Sequence, residues 1–213
     1  MVLPTTPPQI TRAETMEDAA TAANIIARAF SALPVCQWLV PDPELRERML
    51  AEVFQIQVEH ALSFGTVYLF TRRDPVSLIN DVMGVAVWFD NTRDVPPPPD
   101  YEERLLAASG TRNAQFGMLD GLFEEHHPHQ PHHYLAFMAV EPGHQDSGIG
   151  TALLQHHQAF LDEERIPAYL EASTQSAARL YERHGYTRRG PTFSVQKGAE
   201  FIPMWRGPVW DNE

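Results

Sequence analysis

Apolar residues recur at helical spacing early in the chain. Ala22, Ile25, Ile26, Ala29 and Phe30 share one stripe, which predicts a helix from about Asp18 to Phe30. Thr15-Met-Glu-Asp18 precedes it with the pattern of a capping box, a hydroxyl and a carboxylate satisfying the free N–H groups of a helix start. Ile10–Ala13 reads as a short strand. Pro34 and Pro41 bracket a Val-Cys-Gln-Trp-Leu-Val segment expected to be irregular. A longer helix follows from about Pro43 to Phe64, with proline in its first turn and Gly65 just past its end.

The pattern then changes. Thr66–Thr71 and Val82–Phe89 have the β-branched and aromatic content of strands, separated by a turn-like Arg-Asp-Pro. Val95–Pro99 is a stiff extended connector too short to link domains. Helical stretches are expected near Asp100–Ser109 and Asn113–His126. After a His/Pro-rich segment, Tyr134–Val140 is continuously apolar beyond its first residue, as suits a central strand buried on both faces. The last third reads as helix Gly148–Glu164, strand Ala168–Ala172, helix Ser176–His184 and closing strands at Thr187–Arg189 and Ile202–Arg206. These elements predict one α/β domain over 1–213 with a mixed sheet.

Composition narrows the function more than the fold. With 16 Lys+Arg against 28 Asp+Glu the net charge is −12, which argues against nonspecific binding of nucleic acid, where cations must displace counterions from phosphate. No apolar run approaches the roughly 18 residues of a membrane span, and the Pro- and Thr-rich start lacks the pattern of a secretion signal. Cys36, the only cysteine, excludes an internal disulfide and reads as a small buried hydrophobe. These features fit a cytoplasmic protein, monomer or homodimer, without nucleic-acid or membrane partners.

The chemistry concentrates where the apolar strand meets the following helix. Successive free N–H groups at such a junction, backed by the helix dipole, form an anion cradle, and Gly148 and Gly150 leave room for close approach. A P-loop would need Gly-Lys-Ser/Thr, and Lys197 is the only lysine; a dinucleotide fingerprint would need a third glycine where Leu153 stands. Gln145-x-x-Gly148-x-Gly150 instead resembles the acetyl-CoA pyrophosphate motif of the GNAT superfamily of N-acetyltransferases. Tyr169-Leu-Glu-Ala-Ser173 and Ala178-Arg-Leu-Tyr-Glu-Arg-His-Gly-Tyr186 are similar to the family's next strand and helix, and the resemblance is strongest over 133–190. The wording His-Tyr-Leu-Ala, Glu-Ala-Ser and Tyr-Glu-Arg-His-Gly-Tyr resembles the puromycin N-acetyltransferase subgroup.

The resemblance implies a mostly antiparallel sheet flanked by helices, with acetyl-CoA in a cleft between two splayed parallel strands. Met138, Ala139 and Val140 would pair with the pantetheine arm, and Gln145, Asp146, Ser147, Gly148, Ile149, Gly150 and Thr151 would cradle the pyrophosphate. Asp146 and Ser147 stand where the family usually has Gly, Arg or Lys. A carboxylate there opposes the pyrophosphate if it turns inward and matters little if it turns to solvent. Tyr181 would be the general acid that protonates the departing thiolate. Glu171 reads either as the general base, as in some ribosomal-protein acetyltransferases, or as a structural carboxylate satisfied by backbone N–H groups. His132 and His133, next to Tyr134, are further candidates for the base. Phe30, Trp38 and Tyr134 would meet the acceptor amine. The histidines at 126, 127, 129, 132 and 133 lack ligand spacing and an acidic partner, so no metal is expected. The expected reaction is acetyl transfer to a primary amine, that of a small molecule, by direct attack in a ternary complex; a protein-modifying enzyme and a non-catalytic acyl-CoA-binding module are the alternatives.

Overall fold

The structure is a computed structural model that describes residues 8–73 and 80–208. Thr15 caps α1 (Met16–Phe30) by accepting from the Asp18 N–H, while the Asp18 carboxylate returns a bond to Thr15 N, the expected capping box. α3 (Pro43–Phe64) spans the predicted range, with Asp42 as its cap. Between them the segment expected to be irregular is helical: α2 (Pro34–Leu39) starts at a proline that needs no N–H there, and Val40 N closes its last turn on the Cys36 carbonyl. The remaining helices are α4 (Tyr101–Ser109), α5 (Asn113–His126), α6 (Ile149–Glu164) and α7 (Gln175–Arg183).

The strands are β1 (Gln9–Arg12), β2 (Gly65–Arg73), β3 (Asn80–Asp90), β4 (His133–Val140), β5 (Ala168–Ala172), β6 (Thr187–Arg188), β7 (Phe193–Ser194) and β8 (Glu200–Arg206). The turn expected around Asp74 and Pro75 lies outside the described residues. The sheet order is β1-β2-β3-β4-β5-β8-β6, with β7 paired to β8. Every pairing is antiparallel except β4 with β5. Two-residue β7 escaped the sequence reading because so short a run carries no period.

Two helical layers cover the sheet. Ala19, Ala22, Ile25 and Ile26 of α1 and Val58 and Ala61 of α3 pack on Val67, Leu69, Val85 and Val87. On the opposite face, Leu153, Leu154 and Leu161 of α6 and Ala178 of α7 pack on Trp88, Leu135, Leu170 and Met204. A third cluster joins α2, α4 and α5 to Phe193 and Phe201. The central strand β4 is thus covered on both sides, as its continuous apolar run predicts. No helix among the described residues is long and apolar enough to cross a membrane.

Candidate active site

β4 and β5 begin as partners and then part. His133 pairs with Ala168 and Tyr134 with Tyr169, and no pairing follows. At that point β4 carries a bulge, since Val87 faces Phe137 while Trp88 faces Leu135, leaving Ala136 as the extra residue. Beyond it β4 keeps its pairing with β3 only, and one edge of an interior strand lies open. Glu141 N donates to Met83 O, so alternation turns the peptide groups of Ala139 toward β3 and those of Met138 and Val140 into the opening. Of the three residues expected to pair with a pantetheine arm, Met138 and Val140 turn their peptide groups into the opening, whereas Ala139 is buried and faces its β3 neighbour.

The turn after β4 is held from outside. Arg28 of α1 grips the Glu141 carboxylate at 2.7 and 2.9 Å, a bidentate pair at the strand's end. The chain then passes through left-handed conformations at Asp146 (φ 59°) and Gly148 (φ 85°) before entering α6. Gly148 is the N-cap and supplies no side-chain bond, so the first N–H groups of α6, at Ile149, Gly150 and Thr151, stay free of a capping side chain. A left-handed residue is cheap only for glycine, which is why Gly148 stands there. Ser147 Oγ donates back to the His144 carbonyl. Gln145 and Asp146 are exposed, so the Asp146 carboxylate is solvated rather than buried against the cradle.

Gly84 on β3 matters to this turn without any signal in the motif. A Cβ there would come within 2.5 Å of Ile149 Cγ2 and 3.1 Å of Leu153 Cδ1. Its absence lets the first turn of α6 lie directly on the sheet. Gly84→Ala is expected to displace that turn, costing about 1–3 kcal/mol of stability and weakening coenzyme binding several-fold; a thermal melt and a calorimetric titration check both.

A cavity of about 140 Å³ continues from the opening toward α1, α2 and α5. Its polar end is formed by Glu171, Tyr134, Ser173 and Tyr181, and its other walls are aliphatic and aromatic, among them Phe30, Phe54, Phe123 and Phe201. Phe54 packs edge to face on Phe30 and Phe137, with centroids 6.0 and 5.1 Å apart, fixing that wall. Phe30 and Tyr134 therefore line the cavity. Trp38 does not: it packs in the α2 cluster, and its carbonyl accepts from Arg112 at 2.7 Å. α2 being a helix, not a loop, turns Trp38 aside while its neighbours Cys36 and Leu39 line the cavity. Burial pushes the Cys36 thiol up to about 12, so it stays protonated and is no nucleophile.

Glu171 is the one carboxylate on the cavity. Burial raises its pKa to about 7, against the opposing pull of the Tyr134 and Tyr169 hydroxyls. Its Oε1 is buried and has no hydrogen-bond partner. Tyr181 reaches the same cavity from α7, and desolvation alone raises its pKa, keeping the phenol protonated at neutral pH. The two groups flank the open edge of β4. Tyr169, two residues from Glu171 on the same face of β5, was missed by the sequence reading, although strand alternation places it there.

His132 and His133 are not brought to this cavity. His132 bonds the Gln130 carbonyl through Nδ1 at 2.6 Å. His133 lies between Asp90 (Nε2 to Oδ1, 3.3 Å) and His157 (Nδ1 to Nε2, 3.0 Å). Burial lowers the pKa of both. Among the described residues no group of three or more His, Cys, Asp or Glu is arranged to hold a metal ion.

Comparison with known proteins agrees with this architecture. Residues 102–188 match the family model described as acetyltransferase (GNAT) domain, a span from α4 to β6 that contains the open edge, the turn, Glu171 and Tyr181. A crystal structure titled histone acetyltransferase HPA2 and related acetyltransferase, from Corynebacterium glutamicum, superposes over 98% of this chain and 100% of its own, with 27% identity and a TM-score of 0.71. The ribosomal-protein-S18-alanine N-acetyltransferase of Escherichia coli shares 18% identity over 97% of each chain, with a TM-score of 0.56. Arylalkylamine N-acetyltransferase 2 of Aedes aegypti shares 10% identity over 95% of this chain and 99% of its own, with a TM-score of 0.58. The chain has the GNAT fold and carries an acetyltransferase domain.

Proposed function

We propose that this GNAT-fold acetyltransferase moves the acetyl group of acetyl-CoA to the primary amine of a small, largely apolar molecule, with Glu171 as general base and Tyr181 as general acid. The observation that carries the reading is the cavity, a narrow and mostly apolar space onto which Glu171, Tyr134, Ser173 and Tyr181 bring the polar groups. The resemblance of Glu171-Ala-Ser and Tyr181-Glu-Arg-His-Gly-Tyr186 to the puromycin N-acetyltransferase subgroup supports a small-molecule acceptor.

Each step is assigned to one group. The free N–H groups of Ile149, Gly150 and Thr151, at the positive end of α6, receive the pyrophosphate. The open peptide groups of Met138 and Val140 hold the pantetheine arm as a missing strand would be held. The acceptor enters as an ammonium, and Glu171 takes its proton, freeing the lone pair that attacks the thioester carbonyl. An open amide of β4 stabilises the oxyanion of the tetrahedral intermediate. Collapse breaks the C–S bond, and Tyr181 gives its proton to the thiolate. The second proton on the attacking nitrogen passes to the Tyr181 phenolate as the neutral amide forms, and Glu171 releases its own proton, the one net proton of the reaction, to water.

A panel of amines tests the reading by release of the CoA thiol and the mass of the product. Phenethylamine and related arylalkylamines are expected to be acetylated, and peptides bearing a free N-terminus or lysine are not. Turnover of peptides alone would place the acceptor outside the cavity and favour a protein-modifying enzyme. Saturable acetyl-CoA binding without turnover of any amine would leave the non-catalytic alternative.

A further inference from the structure

Tyr169, on the same face of β5 as Glu171, lines a second cavity of about 640 Å³. Strand register fixes what lies along it. Glu171 is paired with Pro203 of β8, and Arg189 N donates to Pro203 O at 2.8 Å from the far side. Residues directly opposite one another in neighbouring strands point to the same side of a sheet. Arg189 therefore stands on the Glu171 face two strands away, with roughly 10 Å between backbones. Tyr169 lines this cavity together with Arg189, and Glu171, two residues on, lines the catalytic one.

Arg189 is not a loose surface cation. Its guanidinium lies over the Trp205 ring, 4.3 Å from the centroid, and donates to the Gln130 side-chain oxygen. No carboxylate pairs with it among the described residues. Much of the surrounding wall is proline: Pro128, Pro131, Pro191 and Pro203. In a chain of net charge −12, a guanidinium held in place, left without a counter-ion and facing a cavity is a receptor for a planar anion.

We propose that Arg189 binds a carboxylate of the acceptor, so that the preferred substrates are amines whose carboxylate lies about two strand spacings from the nitrogen. The inference rests on the acetyltransferase reading above, with the amine at Glu171. The separation excludes free α-amino acids, whose two charged groups share one carbon, and suits ω-amino acids and aminoalkyl benzoates.

Phenethylamine and 4-(2-aminoethyl)benzoate form a matched pair differing only in the carboxylate. The wild-type enzyme is expected to favour the benzoate in kcat/KM by about tenfold or more, the scale of one charge-assisted bidentate contact. Arg189→Gln is expected to erase the preference while leaving phenethylamine turnover within about twofold, which also shows that the variant folds. Equal kcat/KM for the two amines in the wild type, or equal loss on both in the variant, overturns the proposal and leaves the acetyltransferase reading standing. If neither amine turns over, titration of 4-(2-aminoethyl)benzoate into CoA-loaded protein decides. Binding lost in Arg189→Gln supports the anion site, and no binding to the wild type overturns it.

Discussion

Glu171→Gln is expected to lower turnover by about 10²- to 10⁴-fold, the range of a lost general base, with acetyl-CoA affinity unchanged. The carboxylate lines the cavity, its Oε1 has no partner within the protein, and burial has raised its pKa to about 7. A base must be ionised, so the wild-type rate falls about tenfold per pH unit below pH 7 and levels above it. That acidic limb is absent from Glu171→Gln. Stability moves the opposite way. The folded-state pKa lies above that of an unfolded glutamate, so the folded protein binds more protons between the two values and loses stability as pH rises through that window. Glu171→Gln removes an ionised carboxylate from a buried place. Its Tm at pH 8 is therefore expected to exceed the wild-type value by several degrees, and the gap should close toward pH 4. A fall in activity accompanied by a fall in Tm at pH 8 would assign Glu171 a structural role.

Tyr181→Phe is expected to slow turnover by about 10²-fold or more while KM for acetyl-CoA stays within about twofold, because the phenol acts on the leaving group rather than on the bound coenzyme. Phenylalanine keeps the ring that packs edge to face on Tyr186 at 5.8 Å, so the melt should be unchanged. The defect should also shrink when the leaving thiol is made more acidic, as in an aryl thioester of the acetyl group, since a better leaving group needs less protonation. An equal defect on both thioesters would remove Tyr181 from proton transfer.

Local patterns made much of this molecule legible. Thr15 and Asp18 announced the start of α1, and the unbroken apolar run of Tyr134–Val140 identified the central strand before any partner was known. The strand–turn–helix around Gly148 was readable because an uncapped helix start after a buried strand requires particular residue types. What stayed hidden depends on distant contacts. α2 is a single short helix stabilised by its neighbours, so Pro34 and Pro41 looked like the borders of a loop, and Trp38 was assigned to an acceptor pocket that it does not reach. The bulge at Ala136 arises from a register shift against β3, which no window on β4 alone contains. Gly84 needs the path of α6 to explain it. Glu171 was visible as a lone acid in a strand, yet its place on the cavity and its unpartnered oxygen depend on β4 and α7, which no window on β5 contains.

The coenzyme cleft is the premise on which both proton-transfer roles depend, and calorimetric titration of the wild-type protein with acetyl-CoA tests it directly. The open edge of β4, the free N–H groups of α6 and the solvent-facing Asp146 predict saturable one-to-one binding in the micromolar range, about −8 kcal/mol. No heat and no thermal stabilisation at millimolar acetyl-CoA would contradict the account, because a GNAT fold without its coenzyme leaves Glu171 and Tyr181 nothing to act on.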